Sequence, residues 1–200
     1  MTFLLGISKL IDAVTTKLGQ TMWWLTLFMV LIGFINVVTR YVGRALGISL
    51  GGTLYIALQT YAYDLVFLLG AAYVFRVDAH VRVDIIYSSL KRRARAMIDI
   101  FGILFFLFPF SYMGIYFSRS YVANSWRQGE VNRNAGNIPV YPIKAVIIVA
   151  FALLILQGIS ELIKNVAFLQ GRPDSRSIHA VEPEGQEPVD GGVADKVEAV

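Results

Sequence analysis

Between Lys17 and Arg40 the chain runs from Leu18 to Thr39 without a single charged side chain. A hydrocarbon core about 30 Å thick is crossed by roughly 20 such residues in a helix, which satisfies every backbone N–H and C=O without help from water. Trp23 and Trp24 near one end of the run and Tyr41 past the other are the amphipathic rings that favour the bilayer boundary. Three more apolar runs follow, over about 54–75, 97–118 and 143–163. Together they predict an all-α integral membrane protein with four transmembrane helices. The composition agrees, since 56% hydrophobic against 16% charged residues is too apolar for an ordinary soluble domain. The chain has no cysteine, which rules out disulfides, thiolate metal sites and cysteine nucleophiles.

Ahead of the first span, Phe3, Leu4, Ile7, Leu10, Ile11, Val14 and Leu18 recur at three-and-four spacing, with Ser8, Lys9, Asp12, Thr15 and Thr16 largely opposite. The pattern predicts an in-plane amphipathic helix over 1–17 with its polar side in water. A cleaved signal peptide is the rival reading. The apolar run is about twice the usual core of one, and no small-residue cleavage site follows it. Gly43, Gly47, Gly51 and Gly52 make 40–52 a connection, and Pro109 predicts a kink in the third span. Arg119 to Pro142 reads as a polar, turn-rich loop, and 18–165 is the membrane domain. The remainder, 166–200, is a disordered acidic tail by composition: beyond Gln170, three basic residues face seven acidic ones, net −4. Residues 1–170 then hold fifteen basic and seven acidic residues, net +8.

The basic residues sit at the ends of apolar runs, which is the pattern of membrane orientation and not of nucleic-acid binding. With four spans, one side collects eleven Lys and Arg, six of them between Arg76 and Arg95, and the other side six. Both termini are therefore expected in the cytoplasm.

Few residues are placed to carry chemistry. The two histidines, His80 and His179, lie in the basic loop and the tail, so neither a bis-histidine haem nor an intramembrane metal site is expected, and no cofactor or enzymatic activity is predicted. Asp64 is the ionisable residue deep in a span. An aspartate there costs about 2.5–3.5 kcal/mol, and the ten Leu, Ile, Phe and Val residues of the same span return about 3–6 kcal/mol, so the helix still inserts. Asp64 is read as a packing or partner contact, with ion coupling as the alternative. Arg76, Asp78, His80, Arg82 and Asp84 alternate charge with small apolar residues where the second span ends. Val81, Ile85, Ile86, Ser89 and Leu90 then line one face beside Arg82, Lys91, Arg92 and Arg93. This predicts a second in-plane helix held by anionic lipid headgroups, with Asp78 and Asp84 paired to Arg76 and Arg82 or to a partner chain.

The stretch Phe67-Leu-Leu-Gly-Ala-Ala-Tyr73 followed by Arg76, Asp78 and His80-Val-Arg-Val-Asp84 resembles the signature of the DctQ family, the small membrane subunits of tripartite ATP-independent periplasmic (TRAP) transporters. Ser125-Trp126, Glu130, Pro142-Ile-Lys144 and Leu156-Gln-Gly-Ile-Ser-Glu161 look like that family's outer loop and last helix, so the resemblance covers roughly 20–165. It implies a small non-transporting scaffold subunit in the bacterial inner membrane. Its expected partners are a large multispan subunit that imports an organic acid with sodium ions, and a periplasmic substrate-binding protein. Trp126 joins the expected contact residues. Many relatives carry acids near a tryptophan on the second span, whereas this chain reads Leu58-Gln-Thr-Tyr-Ala-Tyr-Asp64. The alternative from another class is a stand-alone four-helix carrier of ions or small solutes using Asp64.

The charge count sets a topology that labelling checks. Cysteines introduced at Ser89 and Asn134 of this cysteine-free chain are expected to react from opposite faces of the membrane; reaction of both with an impermeant reagent in intact cells contradicts it.

Overall fold

The computed structural model describes residues 2–48, 52–77 and 92–170. Helices α1 (Thr2–Leu46) and α2 (Thr53–Val77) come first. Helix α3 (Arg92–Gly102) continues through a π-helical turn (Ile103–Leu107) into α4 (Phe108–Gln128). A small hairpin of β1 (Val131–Asn132), a 3-10 turn (Arg133–Ala135) and β2 (Ile138–Pro139) leads to α5 (Tyr141–Leu169). Among the described residues four helical rods are long and apolar enough to cross a membrane: Leu4–Leu46, Thr53–Val77, Arg93–Gln128 and Tyr141–Leu169. The protein is an all-α membrane protein. The expected in-plane helix over 81–92 falls almost wholly outside the described residues, as does the tail beyond 170.

The interior reverses the soluble pattern. Buried apolar positions are mainly Ala57, Ala62, Ala72, Ala96, Ala150 and Ala167, while Trp23, Trp24, Phe34, Phe67, Phe106, Phe110 and Phe117 are exposed. Lipid tails are as apolar as leucine, so nothing drives large residues inward, and small ones let backbones approach and gain dispersion contact. Gly114 shows the closeness: a Cβ there would lie 2.5 Å from the Phe151 ring, and one on Gly19 2.3 Å from the ring of Tyr73. α5 is the centre of the bundle, touching α1, α2, α3 and α4.

Two segments depart from the sequence expectation. Residues 2–17 are not a separate in-plane helix; they run without a break into the first span, and Ser8, Asp12 and Thr15 are buried against α5. At about 1.5 Å per residue this rod is far longer than the bilayer core is thick, so its ends reach past the hydrocarbon. It stops at Gly47, whose φ of +69° closes a Schellman turn: Ile48 N–H donates to Gly43 and Gly47 N–H to Arg44. The helix thus continues through part of the expected 40–52 connection. Likewise α4 runs on to Gln128, ten residues into the expected loop, and ends in a second Schellman turn at Gly129 (φ +54°).

At Pro109 the strain is taken up by the π turn. Proline has no N–H for the carbonyl one turn back, and its ring crowds that turn. Widening 103–107 so that Phe108 N–H donates five residues back, to Ile103, makes room. The widened turn presses on α5 at Gly158, where a Cβ would lie 2.6 Å from Leu107.

Candidate functional site

Most of the buried polar side chains gather where α1 begins and α2 and α5 end; Asn36, Ser111 and Ser125 lie elsewhere. Ser8, Asp12, Thr15, Gly19 and Met22 follow one another at four-three spacing along one side of α1, all buried. On α5, Gln157, Ser160 and Lys164 repeat at three-four spacing and are buried too. The two stripes meet antiparallel. Lys164 Nζ lies 2.7 Å from Asp12 Oδ2, with both side chains less than a tenth exposed. The other Asp12 oxygen accepts from Ser160 Oγ at 2.8 Å and Gln157 Nε2 at 3.1 Å. Since the Ser160 hydroxyl has one proton and gives it to Asp12, the 2.7 Å contact between Ser8 and Ser160 is donated by Ser8. Thr15 donates to Gln157 Oε1 at 2.9 Å, which fixes the orientation of that amide.

Two further charges complete the clasp. Glu161 accepts from Lys164 at 2.9 Å and from Gln157 at 3.3 Å. Arg76, at the end of α2, donates to Thr16 and sets its Nε 3.8 Å from Asp12. Among the described residues the cluster holds two carboxylates and two cations, which balance. An unpaired buried charge is strongly destabilising, whereas a pair with its remaining donors and acceptors satisfied is tolerated and specifies geometry. What this site can do is hold: it fixes the register of α1 against α5 and ties in α2.

The opposite end carries a second, more exposed pair. Glu130 accepts from Ser125 Oγ at 2.7 Å and from Lys144, joining the end of α4 to the start of α5 across the hairpin. Lys144 also sits 4.1 Å from the centre of the Tyr121 ring, and the Trp126 ring meets Tyr141 edge-on at 4.8 Å. The Lys144 ammonium first, then the Ser125 hydroxyl, hold the Glu130 carboxyl below its usual range.

Residues 29–168 match the family of tripartite ATP-independent periplasmic transporters, DctQ component. The chain belongs to that family. No curated protein and no solved structure gives a match. As a DctQ component the chain is a multi-pass membrane subunit of a transporter, from a family of transporter subunits and not of enzymes.

The residues singled out from sequence fall unevenly on this DctQ subunit. Arg76 belongs to the clasp, where Asp12 is its acidic neighbour among the described residues. Asp78, His80, Arg82, Asp84 and Lys91 lie outside the described residues. Arg92 opens α3, Arg93 is exposed one residue on, and Trp126 is exposed at the end of α4. Asp64 is half-buried on α2, away from the clasp. Asp12, Gln157, Ser160 and Lys164 were missed as a site, although the spacing of Ser8, Asp12, Thr15 and Gly19 runs on past Lys17 into the span and so signals a packed stripe. Among the described residues no cluster of His, Asp and Glu is arranged to hold a metal.

The lowered Glu130 pKa fixes a direction. A carboxyl depressed in the folded state contributes stability that is complete above its unfolded value of about 4.3 and is lost as pH falls through the lower folded value. With Trp23 and Trp24 replaced by Phe, Trp126 fluorescence is expected to change on acidification with a midpoint below about pH 4.3; a change centred at or above that pH contradicts the pairing. Glu130→Gln should remove the transition.

Proposed function

We propose that this subunit is the non-transporting scaffold of a sodium-coupled, binding-protein-dependent importer of an organic acid. It holds a large multispan subunit in the inner membrane, while a periplasmic substrate-binding protein delivers the carboxylate. Both termini lie in the cytoplasm. Family membership supports the assembly, and the observation that carries the scaffold role is the clasp of Asp12, Glu161, Arg76 and Lys164, whose charges balance among the described residues. These charges pair with one another and tie three helices together, as suits a rigid support. The large exposed side chains supply the complementary feature, a broad apolar exterior for lipid and partner.

Within this reading His80, Arg82, Lys91, Arg92 and Arg93 engage anionic headgroups at the cytoplasmic boundary, where each basic residue contributes about 1 kcal/mol. Asp78 and Asp84 pair with Arg76 and Arg82 or with basic residues of the large subunit, Trp126 contacts that subunit, and Asp64 acts in packing or partner contact and not in ion coupling.

Asp64→Asn keeps shape and most hydrogen-bonding capacity while removing the charge. The assembled transporter carrying it is expected to import with an unchanged number of coupled sodium ions. An altered sodium count with assembly intact overturns the scaffold role and favours a carrier that uses Asp64.

A further inference from the structure

We propose that the large subunit docks on the flank of α2 that carries Asp64, through a transmembrane helix whose lysine or arginine meets that carboxylate. This inference rests on the scaffold reading and names the face it uses. Asp64 lies eleven residues from Thr53 and thirteen from Val77, so at 1.5 Å per residue it is about 16–20 Å from either end of the helix. Headgroups are out of reach at that depth. Among the described residues it has no ion pair and no hydrogen bond, in contrast to Asp12, Glu130 and Glu161, each of which has a cation within 3 Å.

The surroundings supply a seat. Thr60 and Tyr61 stand one turn before Asp64 on the same flank, and with Ala57 and the hairpin residues Asn132 and Ala135 they line a groove of about 250 Å³. Glu130 is paired with Lys144, whereas Asp64, one turn along α2 from the groove, has no cation partner among the described residues. The ridge next to it is apolar and exposed: Ile56, Tyr63 and Phe67, the last two rings stacked at 6.2 Å. A long basic side chain fits this arrangement, with its methylenes along the groove and its charge at Asp64, while the rest of its helix packs on the ridge. Lipid tails could cover the ridge but offer no donor to the carboxylate.

The test uses the co-expressed transporter. Single cysteines at Phe67 and, as a control on another face, at Phe110 of α4 are combined with a cysteine scan of the large subunit. Phe67→Cys is expected to cross-link to it and Phe110→Cys to remain free. Asp64→Lys should cut recovery of the large subunit at least tenfold while the small subunit itself elutes as wild type in detergent. Exchanging the facing lysine or arginine of the large subunit for Asp should restore recovery. If the wild type recovers the large subunit but cross-linking occurs only through Phe110, or Asp64→Lys changes only the lipid retained in native mass spectrometry, this docking face is overturned and the scaffold reading stands. If the wild type retains no multispan partner at all, both fall.

Discussion

The ion pair between Asp12 and Lys164 joins the first helix of the bundle to the last, and the arrangement of the other helices follows from it. Two charges removed from water face a large desolvation penalty, which is offset only when geometry is good and every remaining lone pair and proton is used. Here both oxygens of Asp12 are engaged, Lys164 has a second carboxylate in Glu161, and the Gln157 amide is satisfied at both ends. A one-turn slip of α1 along α5 would strand all of these groups at once. Apolar packing between alanines is far more tolerant of sliding, so the clasp is what makes the register unique.

The rest of the bundle is built on closeness. Gly114 beneath Phe151, Gly19 beneath Tyr73 and Gly158 beneath the π turn let backbones and rings approach where no hydrophobic effect draws helices together. The π turn belongs to the same scheme. Pro109 requires a disturbance in the third rod, and the chain places it against a glycine of α5, so that the local defect becomes a contact. With the interior filled by small residues, the aromatic and large aliphatic side chains form the outside.

Spans were legible because uncharged length is a strong, local signal: the run from Leu18 to Thr39 needs no knowledge of its neighbours. The family, too, was visible in the residues from Phe67 to Asp84. Helix ends were harder to place, since glycines such as Gly43 sit inside a helix while Gly47 and Gly129 end one, and only φ distinguishes them. The clasp escaped for a different reason. Ser8, Asp12 and Thr15 opposite a row of leucines and isoleucines fit an interfacial helix equally well, and what faces them depends on Gln157, Ser160 and Lys164, some 145 positions away. Polar periodicity in one helix reports a polar surface; whether water or another helix meets it is a tertiary fact.

The central claim, that the Asp12 and Lys164 pair sets the register of the bundle, is tested most directly by a double-mutant cycle on unfolding in detergent with Asp12→Ala, Lys164→Ala and the double variant. Each single change leaves the other charge buried without its partner and is expected to cost about 3–5 kcal/mol. The double variant should be less damaged than the sum of the two, by an interaction energy of about 1.5–3 kcal/mol. Costs that add to within about 0.5 kcal/mol would mean that the two residues act independently, and the clasp would not be the element that organises the fold.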